Sequence, residues 1–296
     1  MNESLDIPDQ PEFSDELIQS CHETGNFSPV LFEWYKFTAQ ICNFFARIDL
    51  NSAFIREIQS VHYAVLSGSL NRCSRLMLAN INLSHQGLYG ETTAILDRTI
   101  FETAIKVAWL CAQSSDESFI RFLADGLKTE LELKQKILSS IEARQGESLP
   151  IEDRMLQSIS QHIGDSGLEE GVIGDARKLP NLYAMLENLG LDRLIYISMQ
   201  KIGSHHVHGT WPSLKFHYLR KSEDGAWCPR DHDCHTDQIQ YAVISLLVLS
   251  AIESFVEFIC RDEDDREGLG QVLVATSREI EAIIKVTNNQ DFETQH

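Results

Sequence analysis

Basic side chains are scarce in this chain. Twenty-five lysines and arginines stand against 44 aspartates and glutamates, a formal net charge of −19 over 296 residues. An acidic surface repels phosphate backbones, which excludes broad non-specific DNA binding. Long uncharged runs are lacking too. The best membrane candidate, Ile239 to Ile252, is followed at once by Glu253 and Glu257. A spanning helix needs about 20 apolar residues, so this segment reads as a core helix. The first six residues, Met-Asn-Glu-Ser-Leu-Asp, lack the basic-then-apolar layout of a secretion signal. The expectation is a soluble, cytoplasmic protein with no membrane partner. There is no glycine-rich phosphate loop, no Gly-x-Ser-x-Gly elbow and no His-Glu-x-x-His, so the familiar nucleotide, serine-hydrolase and zinc-protease motifs are missing. The seven cysteines are odd in number and scattered, which suits buried thiols in a reducing compartment rather than a disulfide framework.

What is present is helical periodicity. Residues 1–13, with Pro8 and Pro11 among acids, read as a flexible leader. Residues 14–145 read as an N-terminal helical region. In it Leu31, Trp34, Phe37, Ile41, Phe44, Phe45 and Ile48 recur mostly at three- and four-residue spacing and make one aromatic face. Asn51 or Ser52 is the expected cap of the next helix, and the glycines of His85-Gln86-Gly87-Leu88-Tyr89-Gly90 mark a turn after it. Ser114-Ser115-Asp116 can cap a later helix. Residues 146–180, punctuated by glycine and proline, read as a mobile loop with one short helix. Residues 181–288 read as a C-terminal helical region packing on the first as one domain, with a frayed tail over 289–296. A hairpin with Asp224-Gly225 at its turn is expected within 210–230, and Thr236 is the expected cap of the apolar helix that follows. The fold class is all-α: a helical bundle with a small irregular or hairpin insertion.

Chemistry concentrates in residues 205–235, which hold His205, His206, His208, His217, His232 and His235 with Cys228 and Cys234. Imidazole and thiol suit proton transfer near neutral pH and soft or borderline metals. His205 and His208 share a helix face, and His206 points elsewhere. The bland account is that histidines at a helix C-terminus complement its dipole, with Gly209 as the residue that stops the helix. Five residues separate Cys228 from Cys234, which is wrong for a zinc knuckle. No cofactor is called for; if a metal binds, it is zinc, with His205, His208, His232 and Cys234 as the candidate ligands. Arg98, Glu102 and Lys106 form a stripe at i, i+4, i+8 that is ordinarily solvated surface, although Glu102 sits among apolar residues and needs a partner such as Arg98.

Two resemblances bear on these residues. Arg230, four residues and then His235 is similar to the Arg–His pair of HEPN-type helical ribonucleases, in which histidine moves the proton and arginine stabilises the phosphorane. That implies a metal-independent ribonuclease, toxin or defence effector, with RNA as substrate. The stretch Leu96-Asp97-Arg98-Thr99-Ile100-Phe101-Glu102, then Trp109-Leu110 and Arg121-Phe122, with the helix end Ser204-x-x-Val207-His208-Gly209, resembles a bacterial all-helical family of unknown function. This resemblance implies that Arg98, Glu102, Arg121 and His208 converge in space, and suggests a stress or phage-defence context. The leading expectation is a helical interaction or ligand-binding protein with an Arg/Glu/His pocket and a protein partner or second copy. The HEPN-like ribonuclease and a metal-dependent hydrolase using the histidine cluster are the alternatives.

Overall fold

The structure, a computed structural model, describes residues 7–85 and 87–293, with side chains described to residue 287. In chain order the elements are α1 (Asp15–Thr24), α2 (Ser28–Ala46), α3 (Ser60–His85), α4 (Gly90–Gln113), α5 (Asp116–Ala143), α6 (Pro150–Ser166), α7 (Glu170–Asp175), α8 (Leu182–Asn188), α9 (Arg193–Ile195), a π-helical stretch π1 (Tyr196–Ile202), α10 (Gly203–His208), α11 (Trp211–Ser213), a second π-helical stretch π2 (Leu214–Tyr218), β1 (Leu219–Lys221), β2 (Trp227–Pro229), α12 (Gln238–Ile259) and α13 (Glu263–Glu293). The fold is all-α, 74% helical, with one two-stranded insertion.

The chain divides into two compact units. The first comprises residues 1–58, 63–112 and 182–296; the second comprises 59–62 and 113–181. In the first unit α12 is the central element and packs on α2 and α13. By length and composition it is the one helix among the described residues apolar enough to cross a membrane, and most of it is buried. The aromatic face of α2 supplies Trp34, Phe37, Ile41 and Phe45 to this core. Hydrogen bonds stitch the neighbouring helices: Ser74 Oγ donates to the Ala39 carbonyl at 2.9 Å, and Asn80 Nδ2 to Asp97 Oδ1 at 2.7 Å. Cys21, Cys42, Cys73, Cys111 and Cys260 are free and buried.

The second unit has its own apolar cluster of Ala124, Leu127, Ile137, Ile159, Ile163 and Ile173, drawn from α5, α6 and α7. Residues 146–180 thus carry two helices where one was expected. Lys128 Nζ donates to the Ala176 carbonyl at 2.5 Å and ties the end of α7 to α5.

Local signals place most helix ends, with three corrections. Ser115 caps α5 as expected, its Oγ accepting Ser118 N–H. The helix expected to start at Asn51 or Ser52 begins instead at Ser60. Residues 54–56 run beside the end of α12, with Arg56 N–H on the Ile259 carbonyl and Arg261 N–H on the Phe54 carbonyl. These long-range bonds outweigh the local cap. Asp237, not Thr236, caps α12: its carboxylate accepts Ile239 N–H while Gln240 Oε1 accepts Asp237 N–H, a reciprocal capping box. The Thr236 hydroxyl is spent on that of Thr93, 2.9 Å away. The hairpin is shorter than expected. Only 219–221 and 227–229 pair, with Gly225 at φ +84° in the turn, because residues 214–218 stay helical as π2.

Candidate functional site

Glu91 is the second residue of α4 and is 7% exposed. A carboxylate near a helix N-terminus meets the positive end of the dipole, and its oxygens still need donors when buried. The hydroxyls of Ser213 and Tyr218 supply them. Asp233 comes from the loop after β2 and caps α4 from outside: Oδ2 accepts Glu91 N–H at 3.0 Å, Oδ1 accepts Cys234 N–H at 2.7 Å, and Gly90 N–H donates to the Cys234 carbonyl at 3.0 Å. Burial alone would raise the Asp233 carboxyl, but these backbone donors and the His217 ring hold it below the usual carboxylate range.

His217, on π2, is 3% exposed, and its Nδ1 lies 2.5 Å from Asp233 Oδ1. The carboxylate assigns the Nδ1–H tautomer, which leaves Nε2 with a lone pair. Nε2 is buried without a partner, as is Nδ1 of His206, whose ring centroid lies 5.0 Å from that of His217. Burial and the neighbouring His217 lower the His206 pKa. Cys234 Sγ is 3.5 Å from His217 Nδ1, and burial followed by the Asp233 charge pushes its thiol up to about 11. His217, Asp233 and Cys234 offer ligand atoms within 4.8 Å of one another, the set among the described residues that could hold a metal.

This polar cluster borders a cavity of about 1600 Å³ within the first unit, with His206, His217, Cys234 and His235 in its lining. Ala94, Phe101, Ala104 and Ala108 recur along one face of α4, and the small residues leave room there. Val243, Leu247, Ser250 and Ser254 form the matching stripe on α12, and Leu194, Met199 and Ile202 line it from α9 and π1. Asp97 also lines it, fully buried, with burial pushing its carboxyl well above the ordinary range against the Asn80 hydrogen bond. π-Helical stretches often accompany functional sites, and both of those in this chain border the cavity.

Two of the four residues expected to converge do so. Arg98 Nε donates to Glu102 Oε1 at 3.1 Å, and Gln200 of π1 donates to the same oxygen at 3.0 Å. A Cβ at Gly203 would lie 3.3 Å from Arg98 Cβ, so glycine lets α10 approach the Arg98 stem, which faces the cavity. His208 corrects the expectation: it is exposed at the end of α10, and its ring makes no hydrogen bond among the described residues. His206, two residues earlier, is the one that turns into the cavity. Arg121 belongs to the second unit, where its guanidinium donates to the Lys178 carbonyl at 2.7 Å. Gly209 ends α10 at φ +56°, as its C-terminal position implies.

The expected metal set is corrected as well. Of His205, His208, His232 and Cys234, only Cys234 joins a ligand cluster. His205 Nδ1 is engaged with Thr210 Oγ1 at 2.7 Å, and His232 is exposed. Arg230 Nη1 donates to the Phe216 carbonyl at 2.7 Å, while the His235 ring lies where any side chain at Gly87 would stand. Local sequence patterns gave no role to Glu91, Asp97, Ser213, Tyr218 or Asp233, nor to His206 and His217 within the histidine-dense segment. His217 and Asp233 lay inside the histidine-dense segment, but only the turn of π2 and the hairpin brings them together. Glu91 carried no local signal, since its partners are 122 and 127 residues away.

Comparison with known proteins adds a family and no activity. Residues 63–226 match the model of a family of unknown function (DUF5677). No curated protein and no solved structure matches the chain.

Proposed function

We propose that this chain, which belongs to the DUF5677 family, is a ligand-binding protein that takes a predominantly apolar small molecule. The observation that carries this reading is the cavity of about 1600 Å³, apolar along its α4 and α12 walls, with a few polar side chains, His206, His217 and Cys234 among them, in its lining. Predominantly apolar walls with a few placed polar groups are the usual make-up of small-molecule sites. A ribonuclease reading asks Arg230 and His235 to act on one phosphate. Arg230 is held on the Phe216 carbonyl and His235 against Gly87, which favours the cavity over that pair.

Titration with a fluorescent long-chain alcohol tests the reading. Saturable binding is expected in the wild type. Ser250→Trp, which places an indole in the cavity from an exposed position on α12, should weaken it at least tenfold. Thr129→Trp, on an exposed position of α5 in the second unit, should leave it unchanged. Equal affinity in all three proteins, or none in any, rejects the assignment.

A second reading rests on exposed apolar side chains near the cavity, with Leu194 67%, Phe216 60% and Trp211 54% exposed. Surfaces of this kind mark protein contacts, here with a second copy or another protein. Light scattering at increasing concentration checks self-association, and a strictly monomeric chain removes the second copy.

A further inference from the structure

We propose that His217, Asp233 and Cys234 form a Zn²⁺ site that fastens the hairpin insertion to the N-terminus of α4. The ligand types are those zinc takes: one imidazole, one carboxylate and one thiolate, all within 4.8 Å of one another. The spacing also fits. Zinc binds nitrogen at roughly 2.0–2.1 Å and sulfur at roughly 2.3 Å, so a tetrahedral ion holds the two ligand atoms about 3.5 Å apart. His217 Nδ1 and Cys234 Sγ are 3.5 Å apart. Nδ1 and Asp233 Oδ1, at 2.5 Å, are at hydrogen-bond rather than tetrahedral separation, and open by under about 1 Å to admit the ion.

Two further observations support the assignment. A Cβ at Gly90 would lie 2.6 Å from Cys234 Sγ and 3.0 Å from the Cys234 carbonyl, so the thiol sits in a space that only glycine leaves open. The carboxylates of Glu91 and Asp233 are both at this junction, yet no lysine or arginine pairs with either among the described residues; the His217 ring is the basic group on Asp233. Two like charges at one junction repel each other, and a divalent ion there supplies charge of the opposite sign. When the ion takes the Nδ1 lone pair, the proton from Nδ1 moves to Nε2, and the thiol proton leaves to solvent. Three protein ligands leave the fourth tetrahedral position for water or a donor from the cavity. The site does not depend on the cavity's ligand.

Co²⁺ titration of the full chain tests this, because a thiolate on cobalt gives a near-ultraviolet charge-transfer band that exposed histidines cannot produce. The expected result is a band that saturates at one equivalent and is displaced by Zn²⁺. It should be abolished by Cys234→Ser, retained by Cys228→Ser, and weakened at least tenfold in affinity by Asp233→Asn. Cys234→Ser changes one atom of a partly buried side chain, and an unchanged circular-dichroism spectrum shows that it folds. Ser250→Trp should keep the band, which separates failure of this site from failure of the cavity assignment. Absence of a thiolate band in the wild type, or its persistence in Cys234→Ser, overturns the proposal.

Discussion

Asp97 shows how much one residue's meaning depends on its surroundings. In sequence it is an acid beside Arg98, and nothing local distinguishes it from the solvated charges of the same helix. In the fold it is buried, one oxygen takes the Asn80 amide, and the other has no partner among the described residues. Burial raises its pKa, so the folded state holds its proton more tightly than the unfolded chain does. The contribution to stability is therefore complete below the unfolded value near 4 and is lost as pH rises toward the raised value. Asp97→Asn keeps the shape and removes the titration. Thermal melts between about pH 4 and pH 8 should show the wild type losing stability with rising pH relative to the variant. A constant difference between the two would refute a raised pKa for Asp97.

At the scale of elements, two glycines within helices should respond in opposite directions. Gly90 opens α4 against the backbone of Cys234 and His235, both carbonyls 3.0 Å from where a Cβ would stand. Gly90→Ala should cost about 1–3 kcal/mol through overpacking and loosen residues 230–236. Gly68, inside α3, has nothing within 4 Å of its Cβ position. Gly68→Ala should stabilise by roughly 0.5–1 kcal/mol, because helical alanine loses less backbone entropy than glycine. Denaturant midpoints with unchanged slopes check both, and hydrogen exchange locates the loosening. Gly87-x-x-Gly90 reads in sequence as a turn and nothing more. Its second function, admitting the Cys234–His235 segment, is invisible until residues 144 to 148 positions apart are brought together.

The two units make a prediction about the whole molecule. Ile163 is one of the six buried residues at the heart of the second unit. Ile163→Ala should cost about 2–5 kcal/mol from lost transfer energy and a residual cavity. If the units are separate cooperative entities, amide exchange should accelerate across 113–181 and leave α2 and α12 unchanged. Uniform acceleration across the chain would mean one cooperative core.

The all-helical class, the strongly aromatic face of α2, the Ser115 cap, the turn at Gly225 and the apolar centre at 239–252 were all legible in the sequence. Each follows from periodicity or backbone chemistry within a few residues, which local sequence determines by itself. The segment that carries the polar cluster was legible too, as a concentration of imidazole and thiol. Its internal arrangement was not. His206 rather than His208 faces inward, Asp233 rather than His232 joins Cys234, and Glu91 enters from more than a hundred residues away. Those outcomes turn on which face of a π-helical stretch packs against α4 and on hydrogen bonds between buried groups that must find partners. Only the tertiary fold decides them, because burial sets both the cost of an unpaired polar group and the partner that relieves it.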